Sequence, residues 1–209
     1  LIVAGSGSGK SFLASSILTK YKSKKNIRIV ILDIGGSYKK FIKIFGGSYA
    51  GLNENVTFDL LRKNLSKDEI IRQMPLIEEL SSAETKKERF TLYESLREFY
   101  SKNKNSLEDL KDIVSKKDEK LSSNLSLYVN DGPFGKIFDN SKNSINLEKN
   151  IVCLDLKEIN DFLGEEEKNI FLMALLNQIW LNFTSTENLG VEKILVMDES
   201  WSFINSSRG

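Results

Sequence analysis

Two kinds of apolar pattern share the chain. Toward both ends the apolar residues gather in short runs rich in β-branched side chains. In the middle, apolar positions recur every three or four residues among dense charges. The runs are Leu1-Ile2-Val3, Ile27 to Leu32 ending at Asp33, Ile151 to Leu156, and Ile194 to Met197 ending at Asp198-Glu199. Their length and boundaries predict strands, and runs apolar on both faces predict a sheet covered on both sides. Between them the spacing predicts a helix from Lys10 to Tyr21, with Phe12, Leu13, Ile17 and Leu18 as its apolar side. A short helix is predicted from Ser37 to Phe45, closed by Gly46-Gly47. A third, Glu165 to Thr184, is apolar on nearly all sides and should lie between layers. Strand, helix, strand, helix at this spacing predicts an α/β domain with a parallel sheet flanked by helices.

The middle segment, about residues 60–130, reads as an all-helical subdomain inserted between sheet strands. Three capping boxes are predicted: Ser66 with Glu69, Ser81 with Glu84, and a weaker Ser106 with Asp109. Behind them the apolar faces are Ile70, Met74, Ile77 and Leu80; then Tyr93, Leu96 and Tyr100; then Leu107, Leu110, Ile113 and Val114. The charges of this segment read as a solvated face, with nucleic-acid contact the less favoured alternative.

Composition narrows the chemistry. Histidine is absent, which removes zinc-hydrolase constellations and any Ser-His or Cys-His pair. The single cysteine, Cys153, excludes a disulfide within the chain. A net charge of +1 gives no global field for nucleic acid or an anionic membrane, though a local patch is compatible with it. The longest apolar-rich stretch, Ile170 to Phe183, is interrupted by Asn177, Gln178 and Asn182, so no membrane span is expected. The chain opens on Leu1, inside an apolar run, and reads as an excerpt of a longer protein. Arg28 and Lys20, Lys22, Lys24 and Lys25 read as a solvated helix end. Trp180 and Trp201 read as packing residues.

Ala4-Gly5-Ser6-Gly7-Ser8-Gly9-Lys10-Ser11 follows an apolar run and opens a helix, the context in which a glycine-rich loop cradles phosphates. Glycines let successive N–H groups point into one concavity, and the helix N-terminus adds its positive end. Lys10 supplies a cation for the β- and γ-phosphates. Ser11 supplies a hydroxyl for Mg2+, which prefers oxygen ligands. Gly5, Ser6, Gly7, Ser8, Gly9, Lys10, Ser11 and Phe12 are thus the candidate nucleotide contacts, with ATP and Mg2+ as the implied ligands. Ala4 replaces the usual first glycine. A flexible Gly/Ser turn that happens to precede Lys-Ser is the bland alternative.

Asp198-Glu199 closes the last apolar run. Ligands of open α/β sheets sit outside the carboxyl ends of strands. Asp198 therefore suits the Mg2+ shell, and Glu199 suits orienting or deprotonating the attacking water. Asp33 ends a strand on the same side. It has two open readings: contact with metal, water or substrate, or a cap for the Gly35-Gly36-Ser37 turn.

Four stretches together resemble the TraC/VirB-type ATPases of conjugative type IV secretion, within the FtsK–HerA group of RecA-like P-loop motors. They are Val3 to Ser11, Ile31-Leu32-Asp33-Ile34-Gly35-Gly36-Ser37-Tyr38, Asp131-Gly132-Pro133-Phe134-Gly135-Lys136-Ile137-Phe138, and Ile194 to Trp201. The last is similar to the family's Asp-Glu-Ala-Trp, with Ser200 in place of Ala. The resemblance implies a RecA-like core that hydrolyses ATP, usually as a hexamer at the cytoplasmic face of a bacterial inner membrane. Its partners would be inner-membrane subunits of the secretion apparatus, and its work would be pilus assembly or substrate transfer. Carried over, Lys10 and Ser11 bind phosphate and Mg2+, Asp198 supports Mg2+, and Glu199 is the acidic residue that activates the attacking water. The family's N-terminal domain, its sensor segment and its arginine finger are not identifiable, so the excerpt is a partial ATPase domain over residues 1–209. Two other functions stay open: a DNA translocase or coupling ATPase, and a nucleotide-binding scaffold without turnover.

Overall fold

The computed structural model describes residues 9–22, 26–61, 67–139 and 143–198. The strand expected at Leu1–Val3, residues 4–8 of the expected phosphate loop, Ser66, Glu199, Ser200 and Trp201 lie outside them, as do Lys24 and Lys25. Two compact units are present, one formed by Leu1–Glu54 with Asn146–Gly209 and the other by Asn55–Ile145.

The first unit is built on a parallel sheet of strands β1 (Ile27–Asp33), β2 (Ser48–Gly51), β3 (Ile151–Asp155) and β4 (Glu192–Met197), in the order β2-β3-β1-β4. Its helices are α1 (Lys10–Lys22), α2 (Lys39–Phe45), α8 (Lys157–Phe162) and α9 (Glu165–Thr184), and a 3-10 turn at Thr186–Asn188 leads from α9 to β4. Every residue of the central strand β1 is buried. The two faces of a strand alternate. On one face Ile29, Ile31, Ile151 and Cys153 pack with Leu18 of α1 and Phe41 and Ile42 of α2. On the other, Val30, Leu32, Val152 and Leu154 are equally buried. Parallel strands need such double cover because their crossover connections lay helices on both faces.

Strand β2 carries no apolar run. Ser48-Tyr49-Ala50-Gly51 is short, half polar and, among the described residues, paired to β3 alone, so no periodicity marks it. Helix α2 begins at Lys39, two residues later than expected, and ends where Gly46 adopts the left-handed conformation, φ 72°.

Three expectations are corrected in this unit. The inward side of α1 is Ala14 and Leu18, one turn apart, whereas Phe12 is 79% exposed and Leu13 and Ile17 are exposed too. Trp180 is 55% exposed, because α9 buries mainly its first half through Ile170, Phe171, Leu172, Ala174 and Leu175. Arg28 is buried in β1 rather than solvated. Its guanidinium donates to the Leu147 and Glu148 carbonyls at 2.7 and 2.8 Å and to the Asn188 side chain. A guanidinium's planar fork can satisfy several acceptors at once, which makes such burial tolerable.

The second unit holds α3 (Lys67–Leu80), α4 (Lys86–Ser101), α5 (Leu107–Ser115), α6 (Glu119–Leu125) and the short α7 (Gly135–Phe138). The apolar face of α5 is buried as its spacing requires, and Ser106 caps it by accepting the Asp109 amide at 3.1 Å. The cap of α4 is displaced from the expected Ser81–Glu84. Thr85 accepts the Glu88 amide at 3.2 Å, and Glu88 reaches back to the Thr85 amide at 2.8 Å. Ser81 instead donates to the Ile77 carbonyl in the last turn of α3. The face of α4 shifts with the cap, to Leu92, Ser95, Leu96 and Phe99.

The Asp131–Phe138 stretch explains its own glycines. A Cβ on Gly132 would stand 2.3 Å from the Ser126 carbonyl oxygen, and one on Gly135 would stand 2.0 Å from that of Val129. Only glycine lets this stretch lie so close to the preceding backbone. That approach seats Phe134 and Phe138 against Tyr128, with ring centroids 5.8 and 5.6 Å apart.

Candidate nucleotide and cation site

The carboxyl ends of β3, β1 and β4 stand side by side. Asp33 is in register with Asp155, and Leu32 with Met197, so Asp198 follows at the same level. The Asp198 amide donates to the Leu32 carbonyl at 2.9 Å. Three carboxylates therefore end adjacent strands, and each is tied down differently.

Ser11 lies in the first turn of α1. Its hydroxyl donates to Asp198 Oδ2 at 2.5 Å across 187 residues of sequence. This contact joins the glycine-rich loop's helix to the acidic strand end. Gly9 sets it up: with φ at +82° it occupies backbone space that side chains rarely adopt, and its carbonyl accepts the Leu13 amide at 2.9 Å. Lys10 follows directly and is partly buried.

The same carboxylate oxygen has a second donor. Tyr38 Oη donates to Asp198 Oδ2 at 3.0 Å, and Tyr38 is fully buried. Burial, and then the nearby Asp198 carboxylate, push its phenol well above the ordinary range, so it stays a neutral donor. Sequence reasoning gave Tyr38 no role. The signal was its place immediately after an acid-ended strand and a Gly-Gly-Ser turn.

Asp33 is 1% exposed, and its Oδ2 has no hydrogen-bond partner. Burial raises its pKa, and the Asp155 and Asp198 carboxylates add to the rise. The backbone amides of Tyr38 and Ser37 act against it. Those amides belong to the turn that Asp33 was expected to cap. Asp155 accepts from the Tyr49 hydroxyl and from the Lys157 amide, the latter at 3.0 Å.

The donor set around Ser11 suits a hard cation. A hydroxyl and a carboxylate oxygen already in mutual contact offer two oxygen ligands, the type Mg2+ takes. Among the described residues no group of three or more His, Cys, Asp or Glu forms a metal cage.

A parallel α/β sheet, a helix opened by a glycine-rich loop and an acid on a nearby strand end define a P-loop nucleoside-triphosphatase domain. The family model described as Helicase HerA, central domain matches residues 1–179, and the chain belongs to that family. The fold is also similar to the structure of VirB4 of Thermoanaerobacter pseudethanolicus, with a TM-score of 0.74 and 18% identity. That likeness covers 96% of this chain and 60% of the VirB4 chain, so this chain spans about three-fifths of its relative's length. No curated protein matches the sequence. Among the described residues no helix is long and apolar enough to cross a membrane.

Proposed function

We propose that this chain is the nucleotide-binding part of an ATP-driven motor that energises conjugative transfer or type IV secretion. The observation that carries the proposal is the contact of Ser11 with Asp198, which unites two segments that sequence reading assigned to one Mg2+ site. Gly5 to Phe12 would wrap the phosphates, with Lys10 as their mobile cation. Ser11 and Asp198 would hold Mg2+, which when bound neutralises charge on the β- and γ-phosphates. Glu199 follows Asp198 and would accept the proton of the attacking water. Family membership and the likeness to VirB4 support the motor reading, and oligomerisation, as a hexamer by resemblance, belongs to the same proposal.

The test is ATP hydrolysis by the protein. Glu199→Gln is expected to lower turnover by on the order of a hundredfold or more while nucleotide binding persists. Unchanged turnover would favour a nucleotide-binding scaffold instead. A second motor reading, a DNA translocase, draws on the helicase for which the family is described. Strong stimulation of turnover by DNA would select it over a motor acting on protein subunits.

A further inference from the structure

We propose that Tyr38 is a positioning residue of the cation site, its hydroxyl holding the Asp198 carboxylate in the orientation that meets Ser11. The proposal rests on the reading of Ser11 and Asp198 as the Mg2+ pair. Both hydroxyls converge on one oxygen, Oδ2, at 2.5 Å from Ser11 and 3.0 Å from Tyr38. They differ in setting. Ser11 has a short side chain in the first turn of a helix, at the loop that would receive nucleotide. Tyr38 is locked: its ring lies in the core with Ile29, Ile31, Phe41 and Ile42 and is fully buried.

Its backbone is fixed as well. Gly35 and Gly36 turn at φ +121° and +79°, and the Ile42 amide bonds to the Tyr38 carbonyl at 2.9 Å to start α2. A rigid donor on one side of a carboxylate leaves its remaining acceptor directions aimed elsewhere. The neighbouring acid gives the restraint something to oppose. Asp33 ends the adjacent strand at the level of Asp198, so the two carboxylates oppose each other when both are charged. The Tyr38 hydroxyl opposes a rotation of Asp198 away from that charge and from Ser11. A buried hydroxyl whose acceptor is withdrawn loses free energy, so the pair is held from both ends.

Isothermal titration separates this role from simple packing. ATP binding is measured in Mg2+ and in EDTA for the wild type, Tyr38→Phe, Asp198→Asn, Lys10→Ala and the Tyr38→Phe/Asp198→Asn double variant. Tyr38→Phe is expected to weaken binding in Mg2+ on the order of tenfold and leave binding in EDTA unchanged. The double variant is expected to bind as Asp198→Asn does, since the hydroxyl acts through that carboxylate. Replacing Tyr38 by 4-aminophenylalanine restores a donor and should restore Mg2+-dependent binding.

If the phenyl ring leaves the core too loose to fold, 4-methylphenylalanine fills the volume without a donor and is held to the same expectation. Equal loss in Mg2+ and EDTA, or no loss, overturns the role of Tyr38 while an Asp198→Asn effect confined to Mg2+ keeps the site reading. An Asp198→Asn variant that binds equally well in Mg2+ overturns both. Lys10→Ala should lose affinity with and without the cation.

Discussion

Asp33 is a carboxyl at 1% exposure beside two other acids, with one oxygen lacking a partner. Its pKa is raised, so the linkage runs opposite to that of a salt-bridged acid. The folded state disfavours the charged form. Stability is therefore highest where the group is protonated and falls as pH rises from the ordinary value of 3.8 toward the raised one. Above that the full penalty persists. Asp33→Asn is expected to raise the thermal midpoint by a few degrees at pH 7.5, with the gain vanishing near pH 3.5, a comparison calorimetric melting can make. A lower midpoint at pH 7.5 would mean that the Ser37 and Tyr38 amides need the charge. At this scale the sequence was informative where a residue's chemistry is local. Ser11 and Asp198 could be paired because each belongs to a motif with its own mechanics. Tyr38 could not, since its bond to Asp198 spans 160 residues and depends on a turn directing a ring through the core.

At the scale of elements, a strand covered on both faces announces itself and a strand at the edge does not. Central β1 is legible because seven successive residues must be buried. Edge strand β2 is selected by pairing with β3, which no local pattern records. Helix caps show a related ambiguity. Ser81 and Thr85 both precede an acid by three residues, and the choice between them is made by α3, whose last turn absorbs the Ser81 hydroxyl. The cap that forms has a measurable signature. Glu88 accepts from the Thr85 and Glu84 amides and from Lys120, which lower its pKa from 4.5 to about 2. A depressed carboxyl contributes stability above its unfolded pKa and loses it as pH falls through the folded one. Melting of the helical unit should therefore weaken between about pH 4.5 and pH 2. Glu88→Gln should flatten that part of the profile. An unchanged profile would show that the cap contributes nothing measurable, an outcome open to any exposed ion pair.

For the whole molecule, the sheet gives the site its geometry and the family gives it a class. Parallel strands place their carboxyl ends on one edge, so acids at positions 33, 155 and 198 meet although the sequence scatters them. The helical unit, Asn55–Ile145, has its own aromatic core and glycine-dependent turn, features that a charge-rich segment with helical periodicity suggested only in outline. The HerA central-domain family model spans residues 1–179, from the glycine-rich segment into α9, and the acid at Asp198 joins the site through the sheet. The most direct test is titration of Mg-ATP into this chain and into its Lys10→Ala variant by calorimetry. The wild type should bind one nucleotide per chain, with affinity at least on the order of tenfold above that of Lys10→Ala. Equal affinities, or no binding by the wild type, would contradict the assignment of a phosphate site at the start of α1.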